Sequence, residues 1–338
     1  MIPSPKPTFM SFNASAFFAL LMSFSALTLA ALTPPQQMAK ERGIMLYNQL
    51  KPAEKELRIA AEAGDAEAQF YLGEELRHQK NYMTSEARQF FEASAAQGYV
   101  YSMIRLGNNG SGLCQKMGNC KDGVKTPLDW LRDAWQVSKD RIAKGDVEAT
   151  YTMYLTTYNL EALRRSAEAG YPYAQYLLAI KYEDGDGFFW LPWQRSQQVE
   201  RWFKAAAENG IPQAMVKYAV IIYENHGDLA IARHWIEESA KTGYDNAIGH
   251  LGAEYAHERK YFGFPLDLVK GYGLMSLLLV LDGGGGTLMY TQDSLAKMAA
   301  QMTPEQIEQG KAFAEDWKSK NPRPISFFPM TLDPLDSF

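Results

Sequence analysis

His250, Glu254 and His257 fall at i, i+4 and i+7 of one predicted helix, so they share a face on which a metal ion could in principle be held. Two histidines seven positions apart lie about 10 Å apart along a helix axis, too far to grip one ion without bending the helix. Three polar positions on the solvated or groove-lining side of the helix are the competing account. Asp184-Gly185-Asp186-Gly187 opens like a calcium loop, but Phe188 stands at its fifth position and Arg195 at its twelfth, where a closing Glu is needed. A glycine turn explains that stretch better. Cys114 and Cys120 are the only two cysteines and lie six apart in the Gly-rich stretch 110–123. No His lies within thirty residues to complete a metal set, and their spacing is not the two-residue spacing of a redox pair. In an oxidising compartment they are expected to pair as a disulfide that staples the loop, worth about 2 kcal/mol on a loop-entropy basis. Gly110-Ser111-Gly112 lacks the strand-turn-helix setting that exposes a serine nucleophile. No zinc-protease, phosphate-loop or dinucleotide motif occurs. No catalytic residue, metal or cofactor is therefore predicted.

What the chain offers instead is apolar surface. Residues 188–193 place Phe188, Phe189, Trp190 and Trp193 beside Leu191, and Tyr261-Phe262-Gly263-Phe264 forms a second cluster. Aromatics at this density are either buried under neighbouring elements or displayed as an anchor for a partner. Both accounts stay open for Phe188, Phe189, Trp190, Trp193, Tyr261 and Phe262, the candidate partner-binding residues.

The elements that position them are set by a recurrence: a small residue, two positions, Gly, three positions, a small residue. It runs through Gly64, Gly98, Gly145, Gly170, Gly210 and Gly243, with spacings of 34, 47, 25, 40 and 33 residues. These are the periods of helix-pair solenoids. A Gly between two helical patterns accepts positive φ, ends one helix and lets the chain reverse. Small residues three before it and four after it let the helices approach at the hairpin apex. Phe90, Trp202 and Trp235 eight before, and Leu72, Leu106, Met153, Leu178, Tyr218 and Leu251 eight after, are expected to fill the wider part of each hairpin. The predicted fold is an all-α right-handed superhelical solenoid of helix-turn-helix repeats over residues 36–320. Residues 36–63 cap its start, a break at Gly283-Gly284-Gly285-Gly286 precedes two final helices around 291–320, and 321–338 form an extended tail.

The pattern resembles the Sel-one-like repeat, a relative of the tetratricopeptide repeat, over roughly residues 53–320. Gly263-Phe264-Pro265-Leu266-Asp267-Leu268-Val269-Lys270-Gly271-Tyr272 matches the second half of that unit. Gly123-Val124 with Asp129 and Ala134-Trp135 is a looser match, and the helix holding Ala312, Phe313 and Trp317 is similar to the family's closing helix. Gly271 and Gly273 depart from it, standing where the family prefers Ala.

The chain has 338 residues, 46% hydrophobic and 22% charged, with net charge −5 and no basic run. Nucleic acid is thereby excluded as a partner, and no small-molecule substrate is indicated. No charge lies between Lys6 and Lys40, and residues 16–32 form an apolar run followed by Thr33-Pro34-Pro35. This is the layout of a secretory signal over residues 1–30 with cleavage after Ala30, the alternative being an uncleaved anchor to the inner membrane. Either way the repeats are expected in the periplasm. Secreted Sel-one-like proteins of this size resemble immunity proteins that neutralise type VI secreted phospholipase effectors. The resemblance thus implies a non-enzymatic protein-binding role with a secreted phospholipase as partner. An envelope scaffold for a secretion or exopolysaccharide machine is the alternative.

Overall fold

The computed structural model describes residues 31–109, 124–282 and 285–327. The expected signal segment 1–30, the cysteines Cys114 and Cys120, Gly283, Gly284 and residues 328–338 lie outside the described residues. Among the described residues there are sixteen α-helices and no strand. After α1 (Pro34–Asn48), six helix pairs turn about the six glycines: α2 (Glu54–Glu62) with α3 (Ala66–Lys80), α4 (Ser85–Ala96) with α5 (Val100–Asn109), and α6 (Pro127–Ile142) with α7 (Val147–Thr157). They continue as α8 (Leu160–Glu168) with α9 (Pro172–Glu183), α10 (Pro192–Glu208) with α11 (Pro212–Glu224), and α12 (Leu229–Lys241) with α13 (Asp245–Tyr255). The described chain closes with α14 (Leu268–Leu277), α15 (Gly285–Ala299) and α16 (Pro304–Lys320). Helices pack chiefly on those before and after them in the chain, the contact pattern of an all-α solenoid. The segment α2 is the first arm of a pair rather than part of a cap, and Gly285 and Gly286 open α15 rather than break the chain.

Each hairpin apex follows from local chemistry. All six glycines take φ between 83° and 98°. At the first five, the Gly N–H donates to the carbonyl three residues back and the next N–H to the carbonyl five back, as in Gly64 to Ala61 and Asp65 to Ala60. This closes the helix end in a Schellman turn. In four of the six hairpins the second helix then starts from an Asp cap, as where Asp65 accepts from the Ala68 N–H at 2.8 Å and Asp146 caps the helix of the third pair, or from a Pro in its first turn, as at Pro172 and Pro212. The small residues four after each Gly (Ala68, Ser102, Ala149, Ala174, Ala214 and Ala247) are all fully buried. Three before it the same holds except at Ile142, which is exposed and is not a small residue.

The wide part of the hairpin departs from expectation in part. Eight before the glycines Trp202 is buried as expected, but Phe90 and Trp235 are only half-buried, whereas Leu57, Phe91, Leu163, Phe203 and Ile236, seven before their glycines, are fully buried. Position −7 lies on one helical stripe with −4 and −3, and −8 is turned about 100° from −7. On the second helices Leu72, Leu106, Leu178, Tyr218 and Leu251 are buried, and Met153 only half so. Gly271 and Gly273 have a steric reason: a Cβ at Gly271 would lie 3.0 Å from the Gly252 carbonyl oxygen, and one at Gly273 2.7 Å from that of Gly310. Ala would push α14 off α13 and α16.

The two ends of the array meet. Residues 321–327 cross from α16 to the sixth hairpin apex, where Ser326 N–H donates to Gly243 O at 3.0 Å and Asp245 N–H to Ser326 O at 3.2 Å. The same segment reaches the end of α1, with Phe327 N–H on Asn48 O at 3.1 Å and Gln49 Nε2 on Ile325 O at 2.7 Å. Lys51 adds an ion pair to Asp282 at 2.9 Å. The sixth apex lacks the fifth-residue hydrogen bond of the others, and Tyr244 N–H goes to Thr242 Oγ1 instead.

Burial raises the Asp245 carboxyl from 3.8 to about 6. Between those values the folded chain holds a proton that the unfolded chain has lost, so stability falls as pH rises through the window and the cost is complete at pH 7. Asp245→Asn is expected to stabilise the fold at pH 7 by on the order of 2 kcal/mol and to change little below pH 4. Urea unfolding at both values checks this, and an equal gain at each would assign the effect elsewhere.

Candidate partner-binding site

The connection between α9 and α10 is built around one guanidinium. Gly185 and Gly187, at φ 104° and 77°, bend the chain away from α9. Arg195, in the first turn of α10, reaches back to donate to Tyr182 O at 2.9 Å, Asp186 O at 2.7 Å and Gly187 O at 3.0 Å. The guanidinium also lies 4.9 Å over the Phe189 ring, which packs edge-on against Tyr182. Three carbonyls of the turn are thus bonded by one fixed positive charge.

Held in this way, the loop sorts its aromatics. Phe189 is half-buried in the loop's own support, whereas Phe188 is 77%, Trp190 83% and Trp193 57% exposed. Phe188 and Trp190 stand edge to face at 5.1 Å, forming a pair that projects from the array. Beside them a cleft of about 800 Å³ runs between α8 and α10, bordered by Glu161, Arg164, Gln198, Arg201 and Trp202. Arg164 is held by Glu161 at 2.8 Å, and Arg201 lies over Trp202. These cleft residues are not evident from the sequence, because α8 and α10 are separated by the whole of α9. Their only sequence signal is polar spacing at three and four positions on the outer faces of both helices.

The second cluster splits in another way. Tyr261 is half-exposed, but Phe262 is only 2% exposed and belongs to the core, a correction to its candidate role at a surface. Glu254 is buried and accepts the Tyr261 and Phe262 N–H groups at 2.8 and 3.2 Å. Its carboxylate stands in for the missing backbone partners of that turn. His257 bonds Phe264 O at 3.0 Å, and His250 faces Arg259 at 3.0 Å. Burial, with Arg259 second, lowers His250 to about 4, which keeps it neutral. The three residues of that face therefore serve three separate local contacts. Among the described residues no group of three His, Cys, Asp or Glu is placed to hold a metal ion, and no described helix is long and apolar enough to cross a membrane.

Comparison with solved structures finds similarity to a protective antigen of uropathogenic Escherichia coli strains displaying an SLR fold, at 19% identity and TM-score 0.47, over 85% of this chain and 61% of that one. A Sel1 repeat protein from Oxalobacter formigenes is similar at 19% identity and TM-score 0.43, over 84% and 88%. The chain spans less than two thirds of the length of the first of these. The family model described as a sulfatase-modifying factor enzyme 1-like domain matches residues 37–172, less than half of the chain. No curated protein matches.

Proposed function

We propose that this chain is a protein-binding repeat protein that anchors its partner on the exposed pair Phe188 and Trp190, with Trp193 and the cleft between α8 and α10 as the flanking surface. The observation that carries this is the contrast within one loop: Arg195 and Phe189 spend their contacts on rigidity, while the neighbouring rings are left in solvent. A preorganised aromatic anchor loses little entropy on binding and fills a partner's pocket well. Following the resemblance to secreted Sel-one-like proteins, the partner is a type VI secreted phospholipase, neutralised in the periplasm by occlusion. No bond-making step by this chain enters that account.

Residues 31–338, carrying a tag, are expected to retain one secreted phospholipase stoichiometrically from a periplasmic extract and to suppress its lipid hydrolysis when both are purified. Trp190→Ala is expected to weaken that binding by about 2 kcal/mol, near 30-fold, with unchanged melting. Phe189→Ala should instead lower the melting temperature, because that ring packs on Tyr182. Recovery of envelope assembly components in place of a lipase would favour the scaffold account and end the toxin link. Binding that is indifferent to Trp190 would remove the edge from the account.

A further inference from the structure

The segment 321–327, which ties the two ends of the array together, also walls a cavity of about 560 Å³. The end of α14, the 3₁₀ turn Leu278–Val280 and the last turn of α16 form the rest of its lining. Its floor is apolar. Leu279 and Val280, adjacent in that turn, are each 41% exposed, while Leu277 beside them is buried. Large apolar side chains left open under a cavity of this size are the floor of a small-ligand site. The polar groups at the rim are mostly engaged within the protein: Gln49 Nε2 donates to Ile325 O, Ser276 Oγ to Gly273 O at 2.7 Å and Asn321 Nδ2 to Trp317 O at 2.9 Å.

The charged residues that line this cavity, Lys318 and Arg323, are both basic. Lys318 is paired to Glu315 of its own helix at 2.8 Å, whereas Arg323 has no acidic partner among the described residues. Its backbone is nonetheless fixed. Pro324 holds Arg323 in an extended conformation, Pro322 restricts the residue before it, and Ile325 and Ser326 are hydrogen-bonded on the other side. A guanidinium presented in this way matches carboxylate and phosphate oxygens in a two-pronged contact. We propose that the cavity binds a single-chain amphipathic anion, with the hydrocarbon on Leu279 and Val280 and the head group on Arg323. The carboxylate of a fatty acid and the phosphate of a lysophospholipid share this chemistry. The bound anion would bridge α14 and the segment that closes the array, and this account is independent of the aromatic edge and of any protein partner.

Dodecanoate and lauroyl lysophosphatidic acid are the probes, titrated into the purified chain below their micelle-forming concentrations and followed by calorimetry. Dodecanol and dodecyltrimethylammonium serve as controls for the head group. At least one of the two anions is expected to bind saturably at one per chain. Binding of dodecanoate alone identifies a free fatty acid as the source, binding of the phosphate alone a lysophospholipid, and binding of both supports the shared chemistry. Arg323→Ala is expected to weaken binding at least about tenfold, and Val280→Asp to weaken it as much by charging the floor, while Trp190→Ala leaves it unchanged. Should Val280→Asp fail to fold, Arg323→Ala decides, because that side chain is exposed. At ten times its Kd the bound anion should also slow proteolysis within 321–327 about tenfold, since the opened segment no longer walls the cavity. Failure of both anions to saturate, equal binding of dodecanol or the cation, or binding indifferent to Arg323 would each overturn the proposal. Proteolysis that the anion leaves unchanged would place it elsewhere on the chain and overturn the proposal as well.

Discussion

Gly243→Ala is expected to destabilise the chain by about 3 kcal/mol and to expose residues 321–327 to protease, while Gly98→Ala, Gly145→Ala, Gly170→Ala and Gly210→Ala each cost about 1 to 2 kcal/mol. All five share the positive φ that an L side chain resists, 86° at Gly243 against 83° to 90° at the others. They differ in what a Cβ would meet. At the other four positions nothing lies within 4 Å, but at Gly243 the new atom overlaps the Pro324 carbonyl oxygen and nears that of Arg323. Both groups are backbone, so the segment as a whole must lift. Lifting removes the Ser326-to-Gly243 and Asp245-to-Ser326 hydrogen bonds, about 1 kcal/mol net each, and loosens the contacts to Asn48 and Gln49. Urea unfolding of the five variants together, with limited proteolysis of the region after α16, separates the two costs. Equal losses across all five would show that residues 321–327 do not hold the ends of the array together.

That contrast marks how far the sequence reaches. The hairpin is a local object: one glycine with a defined φ and small residues at fixed offsets write it completely, so the six turns at Gly64 to Gly243 and the buried residues at +4 are legible in one dimension. The phase of the broad core stripe is less so. Phe90 and Trp235 are larger and more conspicuous than their neighbours, but which side of a helix is covered depends on the next repeat, and the stripe falls on Phe91 and Ile236. The aromatic loops show the same limit. Neighbouring Tyr261 and Phe262 carry similar apolar area, yet their exposure is decided by Glu254 and Arg233, which fix the backbone from other helices. Arg195 reads in sequence only as a wrong calcium ligand, while in space it is the group that makes the loop rigid. The joining of Asn48, Gly243 and Ser326 joins residues nearly 280 positions apart and has no local signature at all.

A buried carboxylate gives the largest expected loss. Glu74 is fully buried on α3 and ion-paired to Arg105 of α5, with Arg77 at 2.8 Å on its other oxygen. Two guanidiniums therefore share one carboxylate between the first two repeats. Burial, then the charges of Arg77 and Arg105, pushes the adjacent His78 down to about 4, so at neutral pH it adds no third positive charge. Removing the acid leaves the desolvation cost of Arg105 in place without the Glu74 carboxylate. Glu74→Ala is expected to cost about 3 to 5 kcal/mol, whereas Glu74→Leu combined with Arg105→Leu should recover most of that loss. The ion pair then acts less as a net source of stability than as a register pin: an α5 shifted by one residue would bury a charge with no partner. Urea unfolding of the single and double variants tests both halves of this. If Glu74→Ala costs under about 1 kcal/mol, the pair behaves as a solvated surface bridge and fixes no register. If the double variant is as unstable as the single, the loss comes from packing around Phe70 and Phe91 and not from removal of the Glu74 charge.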